Sequence, residues 1–173
     1  MRLIRPAMTY ASEIMAYRTE SLEVDPEIPG SSELPDFESP AEWIAHCESL
    51  TDSATLPPDH VEADEWMMVD DDSRIAGVIN IRHHIDHPYL AEWGGHIGYS
   101  IRPGERGRGY AKVQLTLALD KCRDLGLDRV LLTCDLGNEP SRRTILSCGG
   151  VFERMTVIGP EHPGPMERYW ITL

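Results

Sequence analysis

The eleven residues Ile101-Arg-Pro-Gly-Glu-Arg-Gly-Arg-Gly-Tyr-Ala111 constrain this chain more than any other stretch. An apolar run from Gly98 to Ile101 breaks at Arg102-Pro103-Gly104, which marks the end of a strand and a turn. Arg106, Gly107 and Gly109 come next, and then Val113, Leu115, Leu117 and Leu119 set a helical pattern. Strand, glycine-rich turn and helix start together build an anion site. The unpaired N–H groups of a first helical turn converge on a negative group, and the helix dipole favours its charge. Glycine matters there because a Cβ would hold a phosphate away from the backbone.

Two common phosphate loops fail on one decisive residue each. Gly104 and Gly109 have P-loop spacing, but Tyr110 and Ala111 stand where lysine and a hydroxyl residue are required. The dinucleotide pattern starts at Gly107 and Gly109 and meets Lys112 at its last glycine. The pattern that fits is Arg-x-x-Gly-x-Ala at Arg106, Gly109 and Ala111, which resembles the acyl-CoA pyrophosphate loop of the GNAT superfamily of N-acetyltransferases. The residues after this turn keep that family's order of parts. Gly126 is placed to end the helix, Arg129 to Cys134 reads as a buried strand, and Asn138-Glu-Pro-Ser141 opens another helix with Pro140 in its first turn. Gly149-Gly150-Val151-Phe152 closes it. The resemblance covers Trp93 to Phe152, and beyond that the order of elements alone.

The resemblance implies a mixed α/β (α+β) fold in one domain, residues 1–173. Its central, mostly antiparallel sheet has six to seven strands, splayed between the fourth and fifth and flanked by about four helices. It implies acetyl-CoA as co-substrate, with phosphates on Arg106, Gly107, Arg108, Gly109, Tyr110 and Ala111. The pantetheine arm would run along the backbone of Tyr99, Ser100 and Ile101, with Asn138 and Ser141 as further ligands and Arg142 reaching the phosphates. Amide formation from a thioester needs a base, because a primary amine is protonated at neutral pH, and an oxyanion donor from the splayed strand. Glu92 and His96 fall where family members carry the base, Glu92 slightly preferred. Strand alternation puts Gly95 and Ile97 on the face opposite His96, so only one face can meet the acceptor, and a bulge near Gly94-Gly95 would bring His96 round to it. One departure stands out: Ile145 occupies the position where many family members carry a tyrosine that protonates the leaving thiolate. An N-acetyltransferase and a non-catalytic acyl-CoA-binding module therefore both remain open.

The flanks supply the acceptor side. Leu3 to Pro6 reads as a first strand and Met8 to Val24 as a helix. Asp25 to Glu38, with Pro26, Pro29, Gly30 and Pro35, is a long loop of the kind that often forms a lid. Ser39-Pro40-Ala41-Glu42 is a capped helix start leading through Trp43, Ile44, Cys47 and Leu50. In the family this connection borders the acceptor site, so Glu20, Glu23, Asp25, Glu27, Glu33, Asp36 and Glu38 would line or rim it. After a second polar loop, Thr51 to Asp64, a hairpin runs from Glu65 to Arg82 around Asp70-Asp71-Asp72-Ser73. Val151 to Ile158 and Arg168 to Leu173 read as closing strands around a Gly159–Pro165 loop.

The formal net charge of −13 argues against nucleic acid or an anionic membrane as partner and suits a cationic amine. Lys112 and Lys121 are the only lysines, so the skew toward arginine is equally consistent with compositional bias. His83, His84, Asp86 and His87 are the densest imidazole group, but neighbours on a strand point to opposite faces, and no metal is expected. Cys47, Cys122, Cys134 and Cys148 lack metal spacing and sit in apolar segments, as buried reduced thiols do. With no 18-residue apolar run and no signal-peptide core, the expectation is a cytoplasmic protein, monomer or homodimer.

Overall fold

The apolar runs on either side of Asp70–Ser73 form the expected hairpin, buried on both faces. Strands β2 (Ala63–Val69) and β3 (Ile75–Arg82) pair antiparallel, and Asp70 Oδ1 holds the turn by accepting the Arg74 N–H at 2.8 Å. The computed structural model describes residues 1–156, 159 and 164–173. β1 (Arg2–Ile4) lies outside β2, and β4 (Ile97–Ile101) pairs with the inner edge of β3, giving the order β1-β2-β3-β4. A second sheet has the order β5-β7-β6, from β5 (Arg129–Asp135), β6 (Val151–Met155) and β7 (Met166–Thr172). Every ladder is antiparallel, and the break between the sheets falls between β4 and β5.

Helices cover both faces of the first sheet. Met67, Val69, Ile75 and Val78 pack against Ile14 and Tyr17 of α1 (Ala11–Leu22) and Trp43, Ile44 and Cys47 of α2 (Pro40–Ser49). On the other face, Ile79, Ile81 and Ile97 meet Leu115, Ala118, Leu119 and Cys122 of α3 (Tyr110–Asp124). That core continues through Val130, Leu132, Tyr169 and Ile171, so one apolar layer joins the two sheets beneath their split. α4 (Glu139–Ser147) flanks α3 and seats Ile145 in the same layer.

Local chemistry sets the boundaries. Ser39 Oγ accepts from Glu42 N at 3.5 Å with Pro40 in the first turn, and Asn138 Oδ1 accepts from Ser141 N at 3.2 Å. Two readings need correction. Met8–Tyr10 is a 3-10 turn, so the first helix proper starts at Ala11, and the stretch before β4 is a π-helical turn, Leu90–Gly94. Of the expected strand from Val151, Val157 and Ile158 lie outside the described residues, as does most of the loop after it. Among the described residues, no helix is long and apolar enough to cross a membrane.

Candidate active site

The two sheets touch at one point and then part. His96, just ahead of β4, donates its N–H to Leu131 O at 2.8 Å, while its Nδ1 accepts the Leu131 N–H at 2.9 Å. Gly95 makes this approach feasible: its φ is +63°, and a Cβ there would stand 2.5 Å from Leu131 O. Beyond His96, β4 forms no ladder with β5, which leaves one backbone edge of Tyr99, Ser100 and Ile101 facing the opening.

That strand delivers the chain to the glycine-rich turn. Arg102 is buried at 2% exposure, gripping Glu20 through two bonds of 2.6 Å and Glu13 at 2.8 Å, so the start of the turn is tied to α1. Arg106 donates from Nε to Ile101 O at 3.1 Å and reaches Asp25 at 3.3 Å. Gly107 (φ +77°) and Gly109 (φ +80°) are both left-handed, and Gly109 caps α3 without a side-chain bond. Among the described residues, the backbone N–H groups from Gly107 to Ala111 have no hydrogen-bond partner. The space beside both glycines is open within 4 Å of a Cβ position. A row of bare amides at a helix N-terminus fits a pyrophosphate.

Across the opening, the Tyr99 hydroxyl meets Ser141 Oγ at 2.9 Å, joining β4 to the start of α4. Burial pushes the Tyr99 phenol up to about 12. Asn138 spends its Oδ1 on the helix cap, and Arg142 is held by Glu139 at 2.7 Å with Glu167 at 3.8 Å. Ile145 is fully buried beneath Gly150, so its side chain does not face the opening.

A cleft of about 600 Å3 on the α1–α2 face of β3 is the candidate acceptor side. The loop after α1 forms its roof and is anchored at several points. Gly30 sits so close to β4 that a Cβ would fall 2.0 Å from Gly98 O, and Trp43 Nε1 donates to Ser31 O at 2.8 Å. Arg18 holds Leu34 O and Pro35 O at 3.2 and 2.7 Å. A loop pinned in this way is a wall. Glu27, Glu33, Asp36 and Asp59 contribute four carboxylates to the cleft against the guanidinium of Arg82. Glu20 and Asp25 instead pair with Arg102 and Arg106.

Both expected bases are otherwise engaged. Glu92 lies on the π-helical turn, where its two oxygens hold Arg154 at 2.8 and 2.6 Å. His96 is 6% exposed, and its basic nitrogen is committed to Leu131. The remaining nitrogen then carries the proton, and burial lowers the pKa to about 4. Neither Glu92 nor His96 is among the residues that line the cleft.

A carboxyl group that sequence reasoning passed over lies directly beneath the cleft. Glu65 of β2 is 1% exposed and accepts the Ser32 hydroxyl at 2.7 Å, and Asn80 donates to the same Ser32 oxygen at 3.0 Å. Ser32 and Asn80 line the cleft, while Glu65 Oε1 is buried without a hydrogen-bond partner. Desolvation raises its pKa to about 8. The sequence signal was a lone glutamate ahead of Trp-Met-Met-Val, opposite an asparagine in the hairpin register. The imidazoles of His83, His84 and His87 do not converge: His83 faces Asp64 at 3.5 Å, and His84 faces Asp86 at 3.5 Å.

The family model of the acetyltransferase (GNAT) domain matches residues 5–151. Comparison with curated protein sequences gives no match. Among solved structures, the chain is similar to the ribosomal-protein-S5-alanine acetyltransferase from Vibrio fischeri, with 21% identity and a TM-score of 0.70 over 99% of this chain and 91% of that one. It is similar to Mycobacterium smegmatis RimJ in complex with CoA-disulfide, at 22% identity and TM-score 0.68 over 98% and 80% of the two chains. A third likeness is to a point mutant of spermidine N-acetyltransferase SpeG from Vibrio cholerae, at 17% identity and TM-score 0.67 over 99% and 95%.

Proposed function

The chain belongs to the GNAT acetyltransferase family, and from that membership we propose that it is an acetyl-CoA-dependent N-acetyltransferase. Its acceptor is a primary amine of a small molecule or peptide, attacking directly in a ternary complex. The observation that carries this reading is the row of unpaired amides from Gly107 to Ala111 at the end of the splayed strand.

Acetyl-CoA supplies the activated acetyl thioester. In this reading its pyrophosphate lies on the amides of the turn, with Arg106 and Arg108 beside it. Its pantetheine arm lies along the open edge of Tyr99, Ser100 and Ile101, near Asn138 and Ser141. Arg142, paired with Glu139 as Arg108 is with Glu105, reaches toward the phosphates from the first turn of α4. A backbone N–H of β4 meets the charge that develops on the thioester oxygen. The ionised fraction of Glu65, which grows as pH approaches its pKa of about 8, takes the amine proton by way of Ser32 or water. Adjacent strands stand about 4.8 Å apart, so Glu65 is roughly 10 Å from Gly98 across two ladders, which requires such a relay. The Tyr99 phenol, still protonated at neutral pH, donates to the leaving thiolate in place of the missing tyrosine at Ile145.

The four carboxylates of the cleft favour a cationic acceptor. One fold neighbour is named for spermidine and another for an alanine of a ribosomal protein, so both small and peptide amines belong in the trial. Four free cysteines suit a reducing compartment, and we place the reaction in the cytoplasm. A panel of primary amines with acetyl-CoA, read by thiol release, tests the reading; saturable turnover on at least one amine is expected. Buried Ile145 favours a second reading, an acyl-CoA-binding module without catalysis. Tight CoA binding with no turnover on any amine would establish that one.

A further inference from the structure

One group of side chains on the cleft wall has no role in the chemical step of acetyl transfer, although its Glu33 also counts among the cleft carboxylates. Glu33 stands in the loop after α1, His46 on α2, and His60 in the loop before β2, and their ligand atoms all lie within 4.8 Å of one another. Glu33 Oε2 is 3.2 Å from His46 Nε2, and Glu33 Oε1 is 3.3 Å from His60 Nε2. We propose that Glu33, His46 and His60 form a binding site for a divalent metal of the zinc class, with its open coordination positions toward the cleft.

The donor orientation supports this. His60 Nδ1 lies 2.9 Å from Pro58 O, and a carbonyl can only accept, so Nδ1 carries the proton. In the neutral ring Nε2 therefore holds a lone pair, and it points at a carboxylate oxygen, which is also an acceptor. A proton on Nε2 or a metal ion between the two atoms satisfies both acceptors. An imidazole whose other nitrogen donates to a backbone carbonyl is also the usual arrangement of a histidine metal ligand. At His46, Nε2 is buried and lacks a hydrogen-bond partner, because Glu33 lies off the line of an N–H···O bond.

The spacing and framework agree with this chemistry. Ligands at about 2.0–2.2 Å from a tetrahedral zinc stand roughly 3.3–3.6 Å apart, close to both carboxylate–imidazole separations. The ring of Phe37, 5.2 Å from that of His46, packs against it, and His60 meets His46 edge-on at 5.8 Å. The backbone is strained where it presents two of the ligands. Ser32 and Glu33 are left-handed (φ 44° and 62°), and so is Asp59 beside His60 (φ 63°), none of them glycine. Two histidines and one glutamate leave room for water or a substrate donor, the ligand count of an open zinc site. A metal there would bind both loops of the cleft to α2.

Metal-stripped protein titrated with Zn2+ in a calorimeter tests this without reference to acetyl transfer. One saturable equivalent is expected, together with a rise in Tm and visible absorption bands when Co2+ replaces Zn2+. His46→Gln, His60→Ala and Glu33→Gln should each weaken Zn2+ binding, by about 10²-fold or more for the histidines. His60 and Glu33 are partly exposed, so their variants should fold even if His46→Gln does not. His83→Ala/His84→Ala should bind as wild type does. The proposal is overturned if wild type shows no saturable Zn2+ binding, if His60→Ala binds unchanged, or if the His83/His84 variant loses binding instead.

Discussion

Glu65 is fully buried in β2, beside an Asp64 that pairs with Arg5, and its environment fixes a testable pH dependence. In the unfolded chain it ionises near the ordinary glutamate value, whereas in the fold it keeps its proton up to about 8. The native state therefore binds more protons than the unfolded state between those values, and stability falls as pH rises through that window. The slope is about 1.4 kcal/mol per pH unit while the two states differ by one proton. Glu65→Gln should remove this fall, seen as a urea midpoint less dependent on pH between 5 and 8. If Glu65 also receives the amine proton, the same variant lowers kcat by about 10²-fold and abolishes the rise in rate as pH approaches 8. Glu92→Gln should leave the shape of the pH–rate profile unchanged, because Glu92 is occupied by Arg154. A profile altered by Glu92→Gln and untouched by Glu65→Gln would restore Glu92 as the base.

At the scale of elements, the turn between β4 and α3 does its work with backbone, and side-chain charge is secondary. Gly109→Val puts a branched side chain at φ +80°, a strain of roughly 1–3 kcal/mol, and it also obstructs the amides. Arg106→Ala removes one partly exposed guanidinium whose contacts are Ile101 O and Asp25, worth about 1.5–3 kcal/mol at most, while the amides remain. CoA affinity measured by calorimetry on both folded variants should fall further for Gly109→Val. Wild-type affinity in folded Gly109→Val would remove the phosphate-turn assignment. The contact between β4 and α4 makes a separate prediction. Tyr99→Phe loses the bond to Ser141, and if the phenol protonates the thiolate, kcat falls with little change in CoA affinity. An effect confined to KM for acetyl-CoA would leave Tyr99 a binding contact only.

Over the whole molecule, the charge of −13 is spread unevenly in function. Part of the acidic surface neutralises arginines that hold elements together, as Glu13 and Glu20 do for Arg102. Other carboxylates face the cleft, and these would steer a cationic acceptor. For such an acceptor, kcat/KM should drop between low and physiological ionic strength, where the Debye length shortens to about 8 Å. A rate indifferent to salt, or better turnover of neutral amines, would assign the charge to composition alone.

Local and periodic features were legible in the chain alone. The Arg-x-x-Gly-x-Ala turn, the caps at Ser39 and Asn138, the helix end at Gly126 and the hairpin around Asp70 are written in short-range chemistry, and all formed where expected. With them came a sheet of six to seven strands, seven among the described residues, and the split between β4 and β5, because the family pattern follows the order of elements. The packed fold settled what stands next to what across that order. His96 reads as a base on a strand until Leu131, thirty-five residues away, occupies its nitrogen. Glu92 reads the same way until Arg154 arrives from β6. Glu65 becomes an unusual acid only when the packed fold removes it from water, and Glu33, His46 and His60 meet only after two loops fold against α2. Turns and caps depend on residues within a few positions, whereas proton affinity and ligand geometry depend on desolvation and on partners that only the packed chain brings together.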